Sequence, residues 1–140
     1  MSNLPVPTNY NSSCSHTNNC DFDNSVCVSG VCRCAATHAY NRRKGSCVTE
    51  CVVYGSEFVF FPGRNLRQDT VTLSDNGSDP DACKAACIAR TDFVCHSFDT
   101  FDRRDGSTGS CALSDHAPAS TADSVMSTFW TGNYYRRQCA

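Results

Sequence analysis

The sequence predicts a small disulfide-rich fold of two modules, β-rich with one helix, and three observations lead there. Twelve of the 140 residues are cysteine, close to the level at which composition alone marks a disulfide scaffold. Leu, Ile, Val and Phe together number 24, with four Leu and one Ile, too little aliphatic bulk for an uncrosslinked core. The cysteine rhythm also changes after Cys47: a dense block, Cys14 to Cys47, precedes a sparser one, Cys51 to Cys139, with six cysteines in each. No Cys-x-x-Cys occurs, which removes the usual zinc knuckle and the thioredoxin-like redox motif. The even dozen therefore reads as six disulfides in an oxidising, extracytoplasmic compartment.

Charge and hydropathy exclude further classes. The formal net charge is −2, from 10 Arg and 2 Lys against 12 Asp and 2 Glu, so the chain carries no nucleic-acid footprint. Its apolar runs fall far short of the roughly 20 residues that span a bilayer. Met1-Ser2-Asn3-Leu4-Pro5 lacks the charged-then-apolar order of a signal peptide, so a secreted chain implies a signal already removed or an appended Met1.

Residues 1–13, with Pro5, Pro7 and several Asn and Ser, have no periodicity and read as a flexible lead-in. The first block is nearly all turns, among them Asn18-Asn19, Ser29-Gly30 and Lys44-Gly45-Ser46. Residues 25–34, Ser-Val-Cys-Val-Ser-Gly-Val-Cys-Arg-Cys, alternate around Gly30 as a small hairpin. Six cysteines allow 15 connectivities. The Cys27-to-Cys34 run with its central Cys-x-Cys, followed by Gly45-Ser46-Cys47, resembles the EGF-like family, especially its EB-type variant, over residues 14–47. That resemblance implies the pairs Cys14 with Cys27, Cys20 with Cys32, and Cys34 with Cys47.

A short junction, Val48-Thr49-Glu50, leads to the second block and restricts motion between the two. Val52-Val53-Tyr54 and Phe58-Val59-Phe60-Phe61 are β-branched and aromatic, hence strands, ending at Pro62-Gly63. A helix follows: Asp79 is the N-cap, Pro80 the first helical residue, Asp81 suits the positive end of the dipole, and Ala82 to Arg90 forms helix. Cys83 and Cys87 share one face, with Ala86 and Ile88 near it. Val94 to Phe98, Cys111 to Leu113 and Thr128 to Tyr135 read as further strands, with a polar loop from Arg103 to Gly109. The helical Cys83-x-x-x-Cys87, the Phe93-to-Phe98 strand around Cys95 and the Cys111-x-Leu113 strand resemble the PAN/apple domain over residues 51–139. The resemblance implies an antiparallel sheet carrying one helix, with Cys83 paired to Cys111, Cys87 to Cys95 and Cys51 to Cys139.

No chemistry of catalysis emerges. Fully bridged cysteines offer no thiolate nucleophile, and His16, His38, His96 and His116 lack metal spacing. Gly106-Ser107-Thr108-Gly109-Ser110 does not have the order of a nucleophile elbow. Asp99, Asp102 and Asp105 lack the EF-hand order and read as solvated hairpin acids. No metal or cofactor is expected.

The candidate ligand-binding residues are Arg42, Arg43 and Lys44 in the first block, with Arg103, Arg104, Tyr134, Tyr135 and Arg136 in the second. Arg presents a planar fork to carboxylate or sulfate groups, and exposed aromatics stack on sugars or protein; most of the Arg nevertheless read as solvated or paired with the 14 acids. Asn11-Ser12-Ser13 and Asn76-Gly77-Ser78 are glycosylation sequons. The expectation is a non-enzymatic, secreted extracellular protein mediating adhesion by binding a glycan or protein, as the PAN/apple resemblance implies. Two alternatives stay open: a self-associating structural subunit of a matrix or filament, and a secreted inhibitor or toxin-like effector whose contact loop is Asn41 to Gly45.

Overall fold

Turn chemistry builds the first block. The computed structural model describes residues 10–64, 71–74, 79–103, 110–115 and 130–140; of 18, 71–74, 101–103, 130 and 131 it describes the backbone alone. β1 (Ser25–Val28) and β2 (Val31–Cys34) form an antiparallel hairpin with Cys27 opposite Cys32. Its two-residue turn has positive φ at Ser29 (51°) and Gly30 (81°), the geometry whose twist matches the flanking strands and which glycine adopts without strain. A second hairpin, β3 (Ala39–Asn41) with β4 (Ser46–Val48), occupies a stretch that the sequence reads as turns. Disulfides Cys14–Cys27, Cys20–Cys32 and Cys34–Cys47 staple the block.

The second block is an antiparallel five-stranded sheet in the order β5-β9-β7-β8-β6. Its strands are β5 (Tyr54–Phe61), β6 (Val71–Ser74), β7 (Ser97–Arg103), β8 (Ser110–Ser114) and β9 (Trp130–Cys139), and α1 (Pro80–Ala89) lies between β6 and β7 in the chain. Asp79 caps α1, its carboxylate accepting from the Ala82 amide at 3.3 Å. Cys83 and Cys87 are fully buried on its inner face and bridge to Cys111 and Cys95, while Cys51–Cys139 joins the two ends of the block.

Several boundaries differ from the sequence expectation. β5 begins at Tyr54, not Val52: Val52 and Val53 sit in a bend and are 98% and 63% exposed. The Cys51–Cys139 bridge and the bond from the Ala140 amide to the Val53 carbonyl (2.9 Å) hold that bend. Val94 to His96 precede β7 instead of opening it, because Cys95 is tied to Cys87 of the helix. Ile88 is partly exposed, since one residue beyond Cys87 is about 100° around the helix and off its buried face. β9 continues past Tyr135 to Cys139, paired with β5 on one side and β7 on the other.

Among the described side chains, each face of the sheet carries a buried cluster, and alternation along the strands separates the two. On the helix face Phe98 and Leu113 pack with the four cysteines of α1, β8 and the Cys95 segment, joined by Phe58, Ala86, Phe93 and Tyr135. Phe98 and Tyr135, directly opposite in the β7–β9 register, stack at 4.5 Å. On the other face Val59, Phe61 and Tyr134 pack against Ala36, Val26 and Val28 of the first block. The first block is therefore the second layer over the sheet. Polar contacts reinforce the seam: Glu57 receives Arg42 at 2.9 Å and Arg33 at 3.4 Å, and the Tyr40 amide donates to Gln138 Oε1 at 2.7 Å.

Candidate functional site

The loop joining β3 to β4 is shaped by one side chain. Asn41 Oδ1 accepts from the amides of Arg43 and Lys44, each at 3.0 Å, and its carbonyl accepts from Gly45 at 2.8 Å. Asn is suited to such turns because its side chain replaces a backbone acceptor. With the backbone satisfied internally, the side chains of residues 42–44 project outward and are exposed. Arg42 is drawn to Glu57. Among the described residues no ion-pair partner meets Arg43 or Lys44.

Facing this loop is the Val52-Val53 bend. It is fixed from behind: the Cys51 amide donates to the Tyr54 hydroxyl at 3.2 Å, which lies 3.3 Å from His96 Nδ1, and the Tyr54 and His96 rings stack at 4.4 Å. Gly55 admits the returning chain, because a Cβ there would stand 3.0 Å from the Ala140 Cα. Together Asn41, Arg43, Lys44, Val52, Val53, Cys139 and Ala140 line a cleft of about 300 Å³. A second groove, about 370 Å³, lies where β1 meets the end of β5, lined by Val26, Val28, Ala36, Phe61 and Pro62, with Thr17, Ser29 and Arg64 among its polar members.

The other sequence candidates divide sharply. Tyr134 and Arg136, expected at the surface, are buried at 1% and 0% exposure and cannot meet a ligand there; both lie on the sheet face covered by the first block. Burial raises the Tyr134 hydroxyl well above its ordinary pKa, so it stays neutral. Arg136 spends its guanidinium on the carbonyls of His96 (3.2 Å), Arg137 (3.3 Å) and Thr49 (3.1 Å), tying the junction to the sheet. Tyr135 is half-buried between Phe98 and Phe60. Arg103 belongs to β7 by its backbone, and its side chain lies outside the description; Arg104, Asn76 and His116 lie outside the described residues. Asp99, expected as a solvated acid, is 3% exposed opposite Tyr134. Asn11 is exposed, its Oδ1 accepting from Arg33 at 2.6 Å.

The structure thus brings Arg43 and Lys44 to one cleft with Val52 and Val53, two residues that their β-branched side chains assign to a strand in the sequence reading. Their only sequence signal is position: directly after a cysteine and a polar junction, where a strand has no partner yet. The sulfurs of Cys14, Cys20 and Cys32 lie within 4.8 Å of one another, but all three are oxidised in disulfides, which removes the thiolates a metal requires. No described helix is long and apolar enough to cross a membrane.

Comparison with protein families matches the PAN domain over residues 47–139, a stretch that holds the entire five-stranded sheet, α1 and the Val52–Val53 wall of the cleft. Comparison with curated proteins and with solved structures finds no match. A helix bridged to β8 through Cys83–Cys111 and to the segment before β7 through Cys87–Cys95, ends tied by Cys51–Cys139, and a family match over about two thirds of the sequence lead to one conclusion: the chain belongs to the PAN domain family.

Proposed function

We propose that this chain is a secreted, non-enzymatic extracellular protein that mediates adhesion by binding a protein or carbohydrate, with the cleft between Arg43–Lys44 and Val52–Val53 as its contact site. PAN domains are typically non-catalytic modules that bind proteins or carbohydrates. Twelve cysteines closed in six bridges fit an oxidising compartment. The observation that carries the site is the pair of cations without ion-pair partners among the described residues, held over a rigid, exposed apolar wall. The block 14–47, read as an EGF-like module, supplies the cationic wall, and residues 51–139 supply the apolar one. Asn11, exposed in the lead to the first block, is the proposed glycosylation site in the described part of the chain.

The test is binding of the non-reduced protein, secreted from eukaryotic cells, to an array of extracellular proteins and anionic glycans at physiological salt. Arg43→Ala/Lys44→Ala is expected to weaken the strongest hit at least tenfold and to flatten its salt dependence. Unchanged affinity overturns the site. Light scattering on the same sample is expected to show a monomer; concentration-dependent growth instead supports the self-assembling alternative.

A further inference from the structure

The cleft is a composite surface, and its two halves select a class of partner. Resting on the reading of the cleft as the contact site, we infer that the cleft takes a protein segment in which a carboxylate side chain stands beside an aliphatic one, rather than a sulfated glycan. Two features decide between them. The cationic half holds Arg43 and Lys44 as its projecting charges, because Glu57 already occupies Arg42. Two cations complement one or two carboxylates, whereas polysulfated chains are held by longer runs of basic side chains along an extended track.

The other half is apolar. Val52 and Val53 are 98% and 63% exposed on a backbone pinned by Cys51–Cys139 and by the Ala140-to-Val53 hydrogen bond. A valine so exposed gains nothing from folding, yet this one stands preorganised, so a partner covering it loses little ordering entropy. Removing apolar area from water contributes roughly 25 cal/mol per Å², and a sugar ring with its hydroxyls covers an aliphatic wall poorly compared with a Leu, Ile or Val side chain. At about 300 Å³ the cleft lies at the small end of ligand pockets, roughly 300–1,000 Å³. That size suits one or two side chains of a docked segment.

The experiment selects a displayed library of random heptapeptides on the immobilised, non-reduced 140-residue chain, and in parallel titrates a heparin-derived hexasaccharide. Enriched peptides are expected to carry Asp or Glu next to Leu, Ile or Val. Their affinity is expected to fall at least tenfold in Arg43→Gln/Lys44→Gln and again in Val52→Ser/Val53→Ser. Both pairs of side chains project into solvent, so the variants are expected to keep the parent Tm, and each is used only if it does. Peptides lost in the cation variant but indifferent to Val52→Ser/Val53→Ser overturn the aliphatic contact while leaving the cleft as a binding site. Hexasaccharide binding that depends on Arg43 and Lys44, with no peptide enriched, overturns the protein assignment and keeps the site. Failure of both probes, or binding indifferent to both variants, overturns the reading of the cleft itself.

Discussion

At the scale of single residues, the side chains that decide the architecture are polar ones placed where aliphatic ones are scarce. Arg136 is fully buried yet reaches three backbone carbonyls, so it ties Thr49 of the junction to β9 by charge-assisted bonds rather than by packing. Its charge is felt nearby. Burial, and secondarily the positive charge of Arg136, holds His38 below its ordinary pKa of 6.5. The sign follows from linkage: between the two values the unfolded chain binds a proton that the folded chain does not, so stability rises with pH across that window. The contribution of neutral His38 is complete above pH 6.5 and is lost as pH falls toward the lower folded value. His38→Gln is therefore expected to flatten the Tm-against-pH curve between about pH 5 and 7, where a histidine titrates, with little change at pH 8; an unchanged slope refutes the assignment. Residue type alone pointed Tyr134 and Arg136 toward a ligand. That both lie on one face, under the first block, follows from β9 running on to Cys139, past the Tyr135 at which the sequence reading ends the strand.

At the scale of elements, the helix was the most legible part. Asp79, Pro80 and Asp81 announce its start, and the i,i+4 spacing of Cys83 and Cys87 places both sulfurs on the sheet side. Because the Asp79 carboxylate satisfies an amide that no helical carbonyl reaches, Asp79→Ala is expected to cost about 1 kcal/mol in chemical denaturation. No loss shows that solvent replaces the cap. Strand bounds were less legible. β5 and β7 start later than their β-branched runs suggest, since Cys51 and Cys95 are committed to Cys139 and Cys87 and the backbone beside them follows the bridge before it joins a ladder. β3, β4 and β6 are three or four residues long and, unlike the equally short β1 and β2, are not joined to their partners by a two-residue glycine turn that marks the pairing in sequence; they exist because a partner strand completes their hydrogen bonds.

At the scale of the whole molecule, the first block and the PAN domain share a core instead of following one another as beads. Val59, Phe61 and Tyr134 of the sheet are covered by Val26, Val28 and Ala36, and burial of each large apolar side chain is worth about 1.5–3 kcal/mol. Against a total stability of about 5–15 kcal/mol for a small domain, uncovering that face is serious. Residues 47–140 expressed alone with Cys47→Ser are expected to bind a hydrophobic dye and to melt well below the full chain. An isolated segment with the parent Tm and no dye binding shows instead that the sheet is self-sufficient. Mutating Glu57, which receives both Arg33 and Arg42 at the seam, is a milder probe, because partly exposed ion pairs typically contribute about 1 kcal/mol or less.

What the sequence determined by itself was the means of stabilisation and the local elements: a cysteine-rich, aliphatic-poor chain must be crosslinked, caps and spacing make one helix, and alternating runs around turns make hairpins. These follow from short-range sterics and hydrogen bonding, which neighbouring residues carry between them. The tertiary structure alone decided which face of the sheet the first block covers, that Arg136 and Tyr134 are interior, and that Val52 and Val53 stand beside Arg43 and Lys44. Those outcomes depend on segments as far apart as Tyr40 and Gln138 meeting in space, and no local pattern encodes a contact whose two halves are brought together only when both layers pack.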